Sequence, residues 1–95
     1  MAQNAISVSM RKLEKTLKAL ANRRRLAILK YLKKNEEATV GEISGAIKLS
    51  YKATSQHIII LAGVDIVERE QRSLEAHYSL SKNQSDVVRR VISTL

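Results

Sequence analysis

The stretch that most limits how this chain can fold is Leu49-Ser50-Tyr51-Lys52-Ala53-Thr54-Ser55-Gln56-His57-Ile58-Ile59-Ile60-Leu61. At about 100° per residue, Thr54, His57, Ile58 and Leu61 gather on one side of a helix. Lys52, Ser55, Gln56 and Ile59 gather on the other, with Tyr51 at the margin. Ser50 stands where an N-cap is needed. A helix divided this way buries one face and presents the other. Taken alone, the pattern is that of any amphipathic surface helix, so the flanking segments decide its use.

Upstream, Thr39-Val40-Gly41-Glu42 has the three-residue spacing of a capping box, just before Ile43, Ala46 and Ile47. It predicts a short helix joined through Lys48-Leu49 to the one capped by Ser50. Downstream, Ala62-Gly63-Val64-Asp65 reads as a helix stop. Ile66–Glu70 and Ala76–Leu80 read as two strands around a turn at Gln71–Glu75. Met10, Leu13, Leu17 and Leu20 recur at helical spacing and predict a first helix from about Ser7 to Leu20. Asn22 then caps a second helix through Leu26, Ile28, Leu29 and Leu32, ending at Lys33-Lys34-Asn35. Ser81-Lys82-Asn83-Gln84 reads as a second capping box, before an apolar stripe of Val87, Val88, Val91, Ile92 and Leu95. The expected fold is mainly α (α+β): a winged helix-turn-helix of about five helices, with a small two-stranded antiparallel hairpin between the fourth and last.

The 95 residues are expected to form one domain, 1–95. There is no Phe or Trp, so Leu, Ile, Val and Ala must build the core. Cysteine is absent, which excludes disulfides, thiolate metal sites and thiol catalysis. The longest apolar run, Ile58 to Val64, is far short of the roughly 20 residues that span a bilayer. The first six residues lack the charged and apolar regions of a signal peptide, and a cytoplasmic location is expected. No nucleophile–base pair, phosphate-cradling glycine loop or HExxH signature is present, so no enzyme and no cofactor is expected.

A formal net charge of +8 attracts polyanions. The polar side of the 51–61 helix suits duplex DNA, since Lys can donate to guanine, Gln can pair with adenine and Ser can serve either. Ile59 is discordant there. It fits a thymine methyl or the sugar backbone, and it equally fits a protein-binding surface.

Several blocks in order and spacing resemble the arsenic-resistance repressor (ArsR) family of winged-helix transcription factors, over roughly Leu17 to Leu80. The matching pieces are Leu17 through Leu29, Val40-Gly41-Glu42-Ile43, Leu49-Ser50, Ser55-Gln56-His57-Ile58 with Leu61, and His77-Tyr78-Ser79-Leu80. The resemblance implies a symmetric dimer formed by the first and last helices. Met10, Leu13, Leu17, Val87, Val88, Val91, Ile92 and Leu95 would supply the interface, or else pack back on their own domain. Two-fold symmetry would then read a palindromic operator, and overlap of that operator with a promoter makes a homodimeric repressor the simpler expectation. Tyr51, Lys52, Ser55 and Gln56 would lie in the major groove, with Arg69 and Arg72 of the wing on flanking backbone or minor groove. Arg25 matches a family arginine, as a structural or phosphate contact.

The departures bear on sensing. Where well-known members carry Cys-x-Cys at the start of the third helix, this chain has Thr39 and Gly41. Where others bind zinc-like ions on the last helix, it offers Asp86 and no histidine. His57 and His77 read as structural, and no metal is expected. Asp65 stands where the family usually has glycine and would need a left-handed backbone; Ser73 replaces the usual wing-tip glycine. Two alternatives stay open: a winged-helix module that binds protein, and a non-specific architectural DNA-binding protein.

Overall fold

The computed structural model describes residues 2–95, with side chains from Met10 onward. Along the chain run α1 (Ala2–Leu20), α2 (Arg23–Asn35), β1 (Glu37–Thr39), α3 (Val40–Ile47), α4 (Tyr51–Gly63), β2 (Val67–Arg72), β3 (Glu75–Leu80) and α5 (Asp86–Ser93). The strands form one antiparallel sheet in the order β1-β3-β2.

Local chemistry starts most of the helices. Asn22 accepts from the backbone N–H groups of Arg24 and Arg25 at 2.9 and 3.1 Å, opening α2. Thr39 and Glu42 form the reciprocal capping box: Glu42 N–H donates to Thr39 Oγ1 at 3.2 Å, and Thr39 N–H to Glu42 Oε1 at 2.8 Å. Lys48 closes α3 in a left-handed conformation (φ 56°, ψ 49°), which turns the chain into α4. Ser50 accepts from Ala53 N–H at 3.1 Å and starts α4. Helix, tight turn and capped helix are therefore set by side chains within three residues of the groups they satisfy.

The core is assembled around α2. Ile28, Leu29 and Leu32 are buried there, with Ile43 of α3, Ile58 and Leu61 of α4, Tyr78 of β3, and Val88 and Ile92 of α5. Full burial of Ile58 and Leu61 contributes about 1.5–3 kcal/mol each. These two side chains set the rotation of α4.

Several boundaries differ from those the sequence predicts. Helix α1 begins at Ala2 rather than Ser7, since no glycine or proline before Ser7 would stop it. Strand β1 has no counterpart in the sequence reading. It spans three residues around Ala38, a poor strand former, and forms because Ala38 is buried opposite Tyr78. The Ser81–Gln84 capping box does not form, and α5 starts at Asp86 with Ser85 at the N-cap position, making no side-chain cap bond. Glu68 takes Ser81 away from that role, accepting from its hydroxyl at 3.2 Å and from Lys82 N–H at 3.0 Å.

The hairpin turn shortens to Ser73-Leu74, with Arg72 paired to Glu75. Ser73 has φ 56° and Leu74 no positive φ, the signature of a II′ turn, which favours glycine at its first central position. Asp65 does adopt the left-handed conformation its position requires (φ 59°). The Ser73 hydroxyl makes no hydrogen bond among the described residues, so glycine there relieves strain without losing a contact. Ser73→Gly is expected to raise unfolding stability by about 0.5–1 kcal/mol, read as a higher urea midpoint at unchanged m-value.

Candidate nucleic-acid interface

With Thr54, Ile58 and Leu61 buried, α4 turns Tyr51, Lys52, Gln56 and Ile59 outward, and Ser55 is half-buried at the edge. Tyr51 is 64% exposed and Ile59 62%. The β2–β3 hairpin stands beside α4 as a wing. Between them lies a groove of about 440 Å³, lined by Tyr51 and Ser55 on one side and Arg69, Gln71 and Leu74 on the other. Three of the residues singled out in the sequence, Tyr51, Ser55 and Arg69, thus meet across one groove. Lys52 and Gln56 stand exposed on the same helix but outside that lining.

The wing arginines have different surroundings. Arg69 is exposed and donates to Gln71 Oε1 at 2.6 Å within its own strand. Arg72 forks onto Glu37 of β1, from Nη1 at 2.5 Å and Nη2 at 2.8 Å, and also donates to both carboxylate oxygens of Glu70. Its hydrogen bonds hold the Glu37 and Glu70 carboxyls below the usual carboxylate range, and the two glutamates raise the Arg72 pKa in return. His77 Nδ1 stands 3.9 Å from Glu37 on the same cluster. Arg72 therefore ties the wing to β1.

Arg25 is also engaged within the fold. Its Nε donates to the Ala19 carbonyl at 2.5 Å and its Nη2 to the Lys18 carbonyl at 3.1 Å, closing the C-terminal end of α1. Its Nη1 lies 3.2 Å from His57 Nδ1 on α4. Desolvation, then the charges of Arg25 and Arg24, push the His57 pKa down. The net charge of the sequence did not show that the wing strands carry two arginines against three glutamates (Glu68, Glu70, Glu75), so the wing itself is not basic. Helices α1 and α2 carry ten lysines and arginines against one acid, Glu14. The sequence also gave no reason to single out Leu74, which is 95% exposed at the wing tip.

Met10, Leu13 and Leu17 form an exposed apolar line on α1. On α5, Val88 and Ile92 belong to the protomer's own core, while Val87 and Val91, and Leu95 just beyond the helix, are half-buried. Among the described residues no three His, Asp or Glu side chains come together to hold a metal ion. Among the described residues no helix is long and apolar enough to cross a membrane.

The model of the bacterial regulatory protein, arsR family, matches residues 22–69, which include the α3–turn–α4 unit and the first residues of the wing. The chain belongs to this family. It is 41% identical over 68 residues to the transcriptional activator HlyU of Vibrio cholerae, an alignment covering 72% of the chain and 62% of the relative. The solved structure of reduced HlyU from that organism superposes with a TM-score of 0.77 at 35% identity, covering 96% of this chain and 92% of that one. A homodimeric winged helix-turn-helix DNA-binding domain from Mycobacterium bovis gives a TM-score of 0.80 at 25% identity, covering 93% and 78%. The transcriptional repressor PagR of Bacillus anthracis gives 0.77 at 27% identity, covering 93% and 97%. The winged helix-turn-helix is thus this chain's fold, and the relatives that share it are transcriptional regulators.

If Arg72 anchors the wing, its loss loosens the hairpin locally. Arg72→Ala is expected to speed amide hydrogen exchange at Gln71–Glu75 severalfold, with exchange at Leu29 and Ile58 unchanged.

Proposed function

We propose that this chain is a homodimeric, sequence-reading DNA-binding regulator whose recognition helix is α4. The observation that carries the reading is the capped α4, gripped on one face by the core and exposing Tyr51, Lys52 and Gln56 beside a wing that supplies Arg69. In this reading Tyr51, Lys52, Ser55 and Gln56 enter the major groove, and Arg69 meets the flanking backbone. Arg72 and Arg25 serve DNA binding indirectly, through the wing and the helix that they hold. Phosphates outside the groove meet the exposed cations of α2, with Arg23 and Arg24 at its start.

The dimer reading rests on the exposed apolar line of Met10, Leu13 and Leu17 on α1 and on the half-buried Val87, Val91 and Leu95 near the other end of the chain. A homodimeric relative of the same fold supports it. Two-fold symmetry then places two recognition helices roughly 34 Å apart, or a multiple of this, to read a palindrome. Relatives include both an activator and a repressor, so their names do not choose the direction. Repression by an operator overlapping a promoter is the reading that requires no further contact. No metal effector is proposed, since Thr39 and Gly41 lack the ligand chemistry of a Cys-x-Cys pair.

A second reading, docking of a protein on α4, draws on exposed Ile59 and Ile60. Selection from random duplex DNA at about physiological salt separates the two. An enriched palindrome with half-sites about 10 base pairs apart supports the regulator; binding without enrichment supports an architectural protein, and no binding supports protein docking.

On the enriched duplex, Gln56→Ala is expected to relax preference at one base step by about 1–3 kcal/mol, and Arg69→Ala to reduce the salt slope by about 1 while weakening all duplexes alike. Competition binding over a salt series reads both. Leu17→Glu is expected to shift the chain to monomer in sedimentation equilibrium, because it sets a charge in the apolar line of α1.

A further inference from the structure

His57 sits on the packed side of α4, one residue after Gln56 and one before the fully buried Ile58. Arg25 reaches it from α2 while holding the last carbonyls of α1, so one planar guanidinium joins three helices. The partners lie 32 residues apart in sequence. A guanidinium has only donors, so His57 Nδ1 must accept, and the ring must be neutral with its proton on Nε2. Protonation would turn the acceptor into a donor and set two cations 3.2 Å apart.

We propose that Arg25 is a positioning residue that holds the recognition helix through neutral His57, so that breaking this contact, by substitution or by protonation of the ring, weakens selective DNA binding. The proposal rests on the reading of α4 as the recognition helix. Ile58 and Leu61 fix the depth of α4 in the core, and Arg25 adds a directional contact one residue from Gln56. Base readout needs side chains held to within a fraction of an ångström, so a small shift there costs selective binding more than backbone binding.

The charges acting on the ring are Arg25 and Arg24, both from α2. From α1 it is met through Arg25 by the Lys18 and Ala19 carbonyls; the Lys18 ammonium itself turns out to solvent, 4.0 Å from Glu14. Neither Glu42 on α3 nor Glu68, Arg69 or Glu70 on β2 is among the groups that act on it, and no carboxylate offsets the two cations. The fold thus favours the neutral ring over its ordinary value near 6.5. The unfolded chain takes up the proton first. Stability from the link is therefore present above about pH 6.5 and is lost as pH falls through the lower folded value.

The test uses the full chain with two duplexes, one from the enriched pool and one of random sequence, at about pH 7.5 and about pH 5.5 and constant ionic strength. The ratio of selective to random affinity is expected to be lower at the acid value, because His57 takes up its proton only as pH falls below the ordinary 6.5 towards the lowered folded value. His57→Gln keeps an amide oxygen that can accept from Arg25 without titrating, and is expected to hold the ratio constant. His77→Gln, a control for the other histidine, is expected to keep the wild-type profile. Arg25→Lys retains the charge but carries its donors on one nitrogen instead of the planar fork that reaches Ala19, Lys18 and His57 from three, and is expected to lower the ratio at both pH values. A wild-type pH profile in His57→Gln, or a wild-type ratio in Arg25→Lys, overturns the proposal. If Arg25→Lys does not fold by thermal unfolding, the His57→Gln comparison alone decides.

If no duplex is enriched, the DNA-reading function fails, and the link is tested on the protein alone by nitrogen-15 NMR. Amide shifts along α4 that follow the His57 titration in the wild type and vanish in His57→Gln support the link. Shifts confined to His57 itself overturn it.

Discussion

The grip of α2 and α3 on one face of α4 is the constraint on which the rest of this structure depends. Ile28, Leu29 and Leu32 present a continuous apolar surface, and Ile43, Ile58 and Leu61 close onto it. Hydrophobic burial is not directional, yet here it has a directional result. With Ile58 and Leu61 inside, helical geometry leaves Lys52, Gln56 and Ile59 no place but the outside. The turn at Lys48 and the caps at Thr39 and Ser50 deliver α4 to that surface at a fixed angle. What the protein offers to a partner is therefore a consequence of what its core consumes.

Electrostatics divide the labour differently from the net charge. The excess of positive charge lies on α1 and α2, whereas the wing holds more acid than base. Arg72 spends its donors on Glu37 and Glu70, and Arg25 spends its own on α1 and His57. Both guanidiniums join segments distant in sequence, a use that suits a planar five-donor group better than a point charge. Arg69, which donates to Gln71 of its own strand, is the wing arginine that lines the groove.

Much of the fold was legible because its signals are local. The caps at Asn22, Thr39 and Ser50 each satisfy backbone groups within three residues, and the apolar period of α2 and α4 follows from helix geometry. Asp65 was legible as left-handed only through the family resemblance, since it stands where that family usually has glycine. Strand β1 was not legible, since three residues carry too little period and Ala38 joins the sheet only through burial against Tyr78. Ser81 had the spacing of a cap, but a hydroxyl bonds whichever group reaches it, and the wing brings Glu68 there first. Of the candidate site, the outward placing of Tyr51, Lys52 and Gln56 could be found from helical phase, and their use from the flanking helix, hairpin and charge. Leu74 could not, because nothing in the sequence shows how tight the turn is.

The sequence by itself determined the order of the helices and of the hairpin strands, the caps at Asn22, Thr39 and Ser50, and which face of α4 would be apolar, because each depends on spacings of two to four residues. It also determined the absence of cysteine chemistry and the basic balance of the whole. Only the tertiary structure decided which arginines are occupied and which are exposed. Arg25 meets His57 across 32 residues and Arg72 meets Glu37 across 35, and no local pattern encodes such a meeting. A charged side chain's role is set by the nearest opposite or accepting group in space, and that distance exists only once the chain has folded.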